Sequence, residues 1–235
     1  MKKQATLLVF GLVAFLTLGV VQALATPIQL VGTGSAVFGG TATTAGTTFT
    51  GAPSKLTATN VNGSSTINYT AKPNEITVGL NPGDFPSQIT LGVFNATSTV
   101  SGGIFLKDAP NFSGGTVSLS VSFSVPSDVN PQSFSGTLSG TLTQDASGAL
   151  FVKWDTSKPL TFVSASAGTF VITIETQTPV NPPSSPDASR IRGTIQLISG
   201  PVAAVPEPAS LVLLGSGLLG LTAALRKKKR EQKNL

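Results

Sequence analysis

Eight carboxylates in the central part of the chain are the residues with the clearest capacity for chemistry. A glycoside hydrolase needs two carboxylates across a cleft, one as general acid and the other as base or nucleophile. Most of these acids stand in or beside turn-forming sequence, where Asp caps the backbone, so a turn or a solvated face is the favoured interpretation of each. The eight are Glu75, Asp84, Asp108, Asp128, Asp145, Asp155, Glu175 and Asp187.

The chain lacks the residues that most enzymes use as bases and metal ligands. It has no His and no Cys, which excludes an ordinary Ser-His-Asp triad, thiolate metal sites and disulfides. A Ser-Lys pair stays open, although nothing singles one out. Loop oxygens of Asp108, Asp145 or Asp155 would suit Ca²⁺, yet no Asp-x-Asp-x-Asp-Gly run is present. We therefore expect no cofactor, no metal site and no enzymatic activity.

Alternating apolar residues predict the elements that would position these side chains. The clearest segment is residues 116–125 (TVSLSVSFSV), in which valine, leucine and phenylalanine alternate with serine after the initial threonine. Side chains in a strand point alternately to opposite faces, so this strand has one dry face and one hydroxyl-covered face. Further strands are predicted at residues 64–71, 75–80, 88–94, 134–142, 150–154, 169–175 and 190–198.

These strands predict an all-β protein, an antiparallel β-sandwich of about nine or ten strands. Turn residues such as Asn81-Pro82-Gly83-Asp84 separate them. Residues 26–51 are interpreted as one early strand and loops, and the Pro-rich residues 176–189 as a long loop. Trp154 lies in phase with Leu150 and Val152, so a core position is favoured over stacking on sugar rings.

The formal net charge of +5 belongs to the two ends of the chain. Eight of the 15 bases, but only two of the ten acids, lie before Thr26 or after Ala204. The centre has no basic stripe with interleaved aromatic residues, so nucleic-acid binding is not expected.

The first 25 residues have the pattern of a secretory signal peptide. Lys2 and Lys3 precede an uncharged, mostly apolar segment at residues 7–21. A retained membrane helix is the alternative, which the short apolar segment and the cleavage site behind it disfavour. Export machinery and signal peptidase are the expected partners. The small residues at −3 and −1 and the residue after the cut are Ala23, Ala25 and Thr26.

Three segments follow one another near the C-terminus. Pro206-Glu207-Pro208 is held extended by its prolines. Residues 209–225 carry no charge and as a helix would span about 25 Å, the lower limit for crossing a bilayer. The bases that follow are expected to hold the C-terminal end in the cytoplasm. They also argue against a core helix. Glycines within the apolar segment weaken the helix and argue against a plain membrane anchor. The basic cluster is Arg226, Lys227, Lys228, Lys229 and Arg230.

This order of segments resembles a PEP-CTERM sorting signal. In that family, exosortase reads the tail; it is a multi-pass, transpeptidase-like enzyme of the inner membrane of Gram-negative bacteria. The family is associated with exopolysaccharide and with biofilm-forming organisms. The resemblance implies that Pro206, Glu207 and Pro208 are recognised as substrate, and that the tail is removed or exchanged. It also implies an inner-membrane intermediate before delivery to the cell surface, outer envelope or extracellular matrix.

A second, shorter resemblance concerns the centre of the chain. Leu91-Gly92-Val93-Phe94-Asn95, followed by the alternating strand at residues 116–125, is similar to choice-of-anchor domains. Those are secreted β domains found with varied C-terminal anchors. This resemblance implies no site residue.

The predicted organisation has five parts. They are a signal peptide (1–25), a secreted β-sandwich domain (26–199), a spacer (200–205), the sorting signal (206–230) and a cytoplasmic tail (231–235). The favoured function is that of a non-enzymatic surface or exopolysaccharide-matrix protein. The alternatives are a carbohydrate-binding module of the same matrix and, third, a secreted hydrolase.

Overall fold

The described chain is built from β-strands. The structure is a computed structural model that describes residues 27–71, 76–101 and 104–201. One 3-10 turn, Leu106–Asp108, is the exception among its regular elements. The strands are β1 (Ile28–Gly40), β2 (Thr48–Ala52), β3 (Lys55–Asn60), β4 (Gly63–Thr70), β5 (Ile76–Leu80), β6 (Ser87–Ser98), β7 (Gly115–Val125), β8 (Gln132–Leu142), β9 (Ser147–Trp154), β10 (Leu160–Ser164), β11 (Gly168–Ile174), β12 (Gln177–Pro179) and β13 (Ser189–Ser199).

These strands form two antiparallel sheets. Sheet A has the order β12-β9-β8-β7-β1-β5, and sheet B has the order β10-β11-β13-β6-β4-β3-β2. The prediction of an all-β, antiparallel fold is confirmed for the described residues. The predicted number of nine or ten strands was too low, because the described residues contain thirteen.

The two sheets enclose one apolar core. Along β7, Val117, Leu119 and Val121 are buried while Thr116 and Ser118 are exposed, so the predicted dry and hydroxyl-covered faces are confirmed as far as Phe123. Val125, predicted on the dry face, is exposed, because the register with β1 shifts just before it. Burial also fixes the registers of the other predicted strands, since a slip of one residue would turn every side chain over. Ala71 is exposed and Val78 is half-buried, but the other inward apolar residues of these strands are buried. They include Ile67, Ile76, Leu91, Leu138, Val152, Ile172 and Ile195.

Aromatic rings join the sheets across this core. Phe94 of β6 stacks on Trp154 of β9, with 6.4 Å between ring centroids. Phe123 of β7 meets Phe162 of β10 and Phe170 of β11 edge to face, at 5.1 and 5.0 Å. Each such pair adds roughly 0.5–1.5 kcal/mol to the stabilisation from area burial.

Strand β1 is much longer than the early strand that the sequence predicts. Its inward positions include Gly32, Gly34 and Ala36, which are buried but small. A Cβ on Gly32 would lie 2.9 Å from the Phe123 ring, and a Cβ on Gly34 would lie 2.4 Å from the Tyr69 hydroxyl. The large rings of neighbouring strands fill these positions, so the apolar alternation is missing from β1 itself.

The Pro-rich residues 176–189 contain a strand, where the sequence predicts only a loop. Strand β12 pairs with β9 at the edge of sheet A, a position where proline is tolerated. Its Thr178 is fully buried, and Trp154 Nε1 donates a 2.9 Å hydrogen bond to Thr178 Oγ1. Trp154 is 3% exposed, so its predicted core position is confirmed.

Where the register shifts between β6 and β13, one backbone carbonyl accepts a hydrogen bond from a side chain. Ile191 pairs with Gly92 and Arg192 pairs with Thr90, so Leu91 has no partner residue on β13. The Tyr69 hydroxyl donates a 2.8 Å hydrogen bond to the Leu91 carbonyl oxygen in the core. This bond satisfies a buried acceptor at the bulge.

We expect Tyr69→Phe to lower the free energy of unfolding by about 1–2 kcal/mol, because the Leu91 carbonyl loses its donor in a buried position. Urea denaturation of the purified protein measures the change. Tyr69 is 7% exposed, so the ring stays packed and the far-UV circular dichroism spectrum is expected to be unchanged. A variant as stable as the parent would contradict the role of this hydrogen bond.

The two predicted terminal helices, in the signal peptide and in the sorting signal, lie outside the described residues. Within the part of the chain that is described, no helix has the length and apolar character to cross a membrane. The compact unit formed by the described strands ends at Gly200.

Candidate functional site

The candidate carboxylates lie in separate turns and strand ends. Asp84 closes the β5–β6 turn by accepting hydrogen bonds from the backbone and side-chain nitrogens of Asn81, both at 3.0 Å. Asp108 ends the 3-10 turn, and Asp155 follows β9. Glu75 lies outside the described residues. Among the residues that are described, no group of three or more side chains could hold a metal ion.

Two of these aspartates act as backbone caps. Asp128 accepts hydrogen bonds from Ser164 Oγ at 2.8 Å and from the Ala165 backbone at 2.8 Å. These bonds, the Ser164 hydroxyl foremost, hold the pKa of Asp128 below its ordinary value, because they favour the charged carboxylate. The Ser157 hydroxyl and backbone lower the pKa of Asp155 in the same way. Both carboxylates therefore stabilise their loops as hydrogen-bond acceptors, as the turn interpretation predicts.

We expect Asp128→Asn to destabilise the protein at neutral pH and to have no effect at strongly acidic pH. The folded pKa of Asp128 is lowered, so its contribution is complete above the ordinary value of 3.8 and is lost as the pH falls through the lower folded value. Melting temperatures of parent and variant across this range measure the change. If Ser164 acts on the pH dependence through Asp128, adding Ser164→Ala to Asp128→Asn leaves the pH dependence of the melting temperature unchanged. A further change in that dependence would show that Ser164 acts on another titrating group.

A hollow lies on the outer face of sheet A. It has a volume of about 650 Å³ and is formed across β1, β7, β8 and β9. Its lining is mostly apolar surface, with the half-exposed Val37 at one side and Lys153 and Asp155 at the other, and it includes four hydroxyl side chains. Asp155 is its one carboxylate, whereas a glycoside hydrolase needs two. The hydroxyl residues are Thr116, Ser118, Ser135 and Thr137.

A second hollow, of about 610 Å³, lies on the outer face of sheet B. Arg190 and Arg192 of β13 line it together with Gln88, Thr90 and Glu175. The two guanidinium groups form no ion pair or hydrogen bond with another described side chain. The sequence analysis did not single out these arginines. Their spacing of two residues in a predicted strand places them on one face and could have indicated the hollow.

Two large aromatic side chains that could have stacked on sugar rings lie inside the fold. Trp154 and Tyr69 are 3% and 7% exposed, so neither ring presents a face to a ligand. Phe85 and Phe105 are the strongly exposed rings among the described residues, and both lie in connections rather than on a sheet face. Lys107 Nζ stands 5.8 Å from the centre of the Phe105 ring.

Both ends of the described chain leave the sheets from the same end, which we call the exit end. It consists of the β5–β6 loop, the β7–β8 loop and the β10–β11 turn. A Cβ on Gly79 would lie 3.3 Å from Pro27, and a Cβ on Gly200 would lie 3.3 Å from Pro82. Because Gly79 and Pro82 are only three residues apart, the segments before Pro27 and after Gly200 start close together.

The residues predicted to act in sorting and export lie outside the described residues. They are the sorting motif Pro206, Glu207 and Pro208, the cleavage-site residues Ala23, Ala25 and Thr26, and the basic cluster at residues 226–230. Pro27 and Gly200, next to which these segments begin, lie at the exit end. Their individual roles stay predictions.

Comparison with known proteins identifies the C-terminal segment. Residues 204–229 match the family model of the PEP-CTERM protein-sorting motif. No curated protein and no solved structure matches the chain, and the similarity to choice-of-anchor domains stays a prediction. The matched residues contain the Pro-Glu-Pro sequence, the apolar segment and all of the basic cluster except Arg230. The chain therefore carries a PEP-CTERM sorting signal, which implies export, processing by an exosortase and a cell-surface or extracellular destination.

Proposed function

We propose that the protein is a non-enzymatic component of the cell surface or of the exopolysaccharide matrix of a biofilm, delivered there by exosortase. The observation that carries the proposal is the PEP-CTERM sorting motif at residues 204–229. Two sheets around one core make a β-sandwich, an architecture that gives a secreted protein a large core without disulfides. The exposed face of β7 and β8 is rich in hydroxyl groups, which suits a hydrated polysaccharide surrounding.

The proposed route has three steps. Signal peptidase cuts after Ala25 once the export machinery has passed the β domain across the inner membrane. The apolar segment at residues 209–225 and the basic cluster then hold the precursor in that membrane. Exosortase recognises Pro206, Glu207 and Pro208 and releases or transfers the β domain.

A carbohydrate-binding module of the same matrix is the second candidate. The hollow of sheet A, whose lining includes four hydroxyl side chains, and the exposed Phe105, with Lys107 beside it, favour this function. The buried position of Trp154 and Tyr69 limits it, because stacking on sugar rings needs an exposed aromatic face. A hydrolase is less favoured, because each hollow contains one carboxylate, Asp155 in sheet A and Glu175 in sheet B.

Fractionation of the native host tests the proposal. In cells that make exopolysaccharide, we expect the processed protein in the matrix fraction, and in a strain without the polysaccharide we expect it in the medium or on the cell. Recovery of the processed protein in the periplasm of both strains would contradict a surface or matrix role.

A binding assay separates the two candidates. Purified processed protein is mixed with the host polysaccharide and sedimented, with Phe105→Ala as the variant and Phe85→Ala as the control at the opposite end of the sheets. Binding that only Phe105→Ala removes would favour the carbohydrate-binding module. Release of soluble oligosaccharides during incubation would overturn the non-enzymatic proposal.

A further inference from the structure

Exposed apolar side chains lie around the exit end of the sheets. Phe85 in the β5–β6 loop is 92% exposed. It lies two residues before Ser87, the first residue of β6, which pairs with Ile195 of β13. Val163 and Ile198 are 70% and 58% exposed on the outer face of sheet B. Val163 pairs with Thr169, which pairs with Ser199 at the end of β13. Val125, 45% exposed, ends β7 at the same end.

Hydrogen bonds from one aspartate and the close approach of one proline link these connections. Asp128 of the β7–β8 loop accepts hydrogen bonds from Ser164 and Ala165 in the β10–β11 turn. Pro82 of the β5–β6 loop lies against Gly200. The exposed apolar residues therefore belong to loops and strand ends that are fixed relative to one another, and relative to the points where the chain leaves the sheets.

The length of the chain outside the structure limits how far this surface can be from a membrane. Pro206 lies six positions after Gly200, and a fully extended chain over six residues reaches about 20 Å. Strand β6 alone has 12 residues and extends about 40 Å away from the exit end. In the precursor, the short segment after Gly200 therefore keeps the exit end, rather than the opposite end, near the bilayer.

We propose that the exit end rests on the outer surface of the lipid bilayer, through Phe85, Val125, Val163 and Ile198, while the sorting signal is still attached. This inference rests on the membrane-bound precursor in the proposed function. Aromatic and aliphatic side chains gain free energy in the interfacial region of a bilayer. Asp84 and Asp128 lie in the same loops and disfavour anionic lipid, so the contact is apolar and suits zwitterionic lipid.

The contact has a consequence for processing. A domain seated by its exit end keeps the six-residue segment after Gly200 within the depth where an inner-membrane enzyme acts. A domain that tumbles freely would spend less time with Pro206, Glu207 and Pro208 accessible. The apolar surface thereby positions the domain for the sorting reaction, and it becomes exposed to water when the tail is removed.

Single-cysteine labelling tests the contact, since the chain has no native Cys. The full chain is purified from membranes of cells without exosortase, and each variant carries one bimane label. The labelled positions are Phe85→Cys and Ile198→Cys at the exit end, and Val61→Cys as the control. Val61 is 96% exposed in the β3–β4 turn, at the opposite end of the sheets. The proteins are reconstituted into phosphatidylcholine vesicles that contain nitroxide-labelled lipid, and flotation isolates the membrane-bound fraction.

We expect the bimane at positions 85 and 198 to be quenched at least about twofold more than at position 61, since apolar residues in the interface lie within nitroxide range. Equal quenching in floated protein would overturn the contact while leaving the membrane-bound precursor intact. Protein that does not float would overturn both. Quenching at position 85 that appears only when exosortase is added to the vesicles would overturn the proposal in favour of a contact with the enzyme. Stronger quenching on phosphatidylglycerol than on phosphatidylcholine vesicles would overturn it in favour of a charge contact.

Discussion

Glu207→Ala is expected to leave the protein uncleaved in the inner membrane. Glu207 is the one charged group in the Pro-Glu-Pro part of the motif, and the prolines on both sides of it are expected to favour an extended segment that an enzyme can bind. Loss of a charge-assisted hydrogen bond costs about 1.5–3 kcal/mol, which corresponds to a fall in processing efficiency of roughly tenfold or more. Pulse-chase labelling, with membrane and medium fractions compared, measures the processed fraction.

Glu231→Ala is the matched control for this variant. It removes the same side chain from the far side of the apolar segment, beyond residues 204–229 that match the motif. We expect its processing to equal that of the parent. Normal processing of Glu207→Ala would contradict the assigned role of Glu207, and equal loss in both variants would indicate an effect of net charge on export.

Phe94→Ala is expected to lower the free energy of unfolding by about 3–5 kcal/mol, a large share of the roughly 5–15 kcal/mol of a typical domain. The Phe94 side chain is 1% exposed and lies between rings of both sheets. Its ring centroid is 6.0 Å from Phe38, 6.3 Å from Tyr69 and 6.4 Å from Trp154. Truncation leaves a cavity where the sheets meet, and the surrounding rings cannot all move in to fill it.

Phe85→Ala controls for the loss of a phenylalanine side chain as such. Phe85 is 92% exposed, so we expect a change within about 0.5 kcal/mol in the absence of membranes. Urea denaturation of the processed protein compares the two variants. If Phe94→Ala were as stable as Phe85→Ala, Phe94 could not be the ring that joins the two sheets.

The strands that the sequence predicts are those whose own residues carry the alternation. From Val117 to Phe123 in β7 and from Leu150 to Trp154 in β9, every inward position carries a large apolar side chain, and these side chains are buried. β1 could not be predicted at its full length, because Gly32 and Gly34 leave room for rings that other strands supply. β12 has three residues and depends on pairing with β9, a contact distant in sequence.

The candidate site likewise contains one part that the sequence predicts and other parts that it does not. The sorting signal is a linear pattern of residue types, so the sequence alone is sufficient to indicate it. The hollows and the exit end depend on strand order, which brings Pro27 and Gly200 to one end although 173 positions of the printed sequence separate them. Sequence patterns predict which face of a strand is exposed, but not which strands meet.

The most direct test of the central claim is the mass and the C-terminal peptide of the protein from its native host, with membrane and medium fractions analysed separately. The sorting account predicts that the mature protein ends at the Pro206-Glu207-Pro208 region, with any added mass identifying what replaced the tail. A mature protein that retains residues 226–235 would contradict it, because the C-terminal segment would then be a permanent anchor.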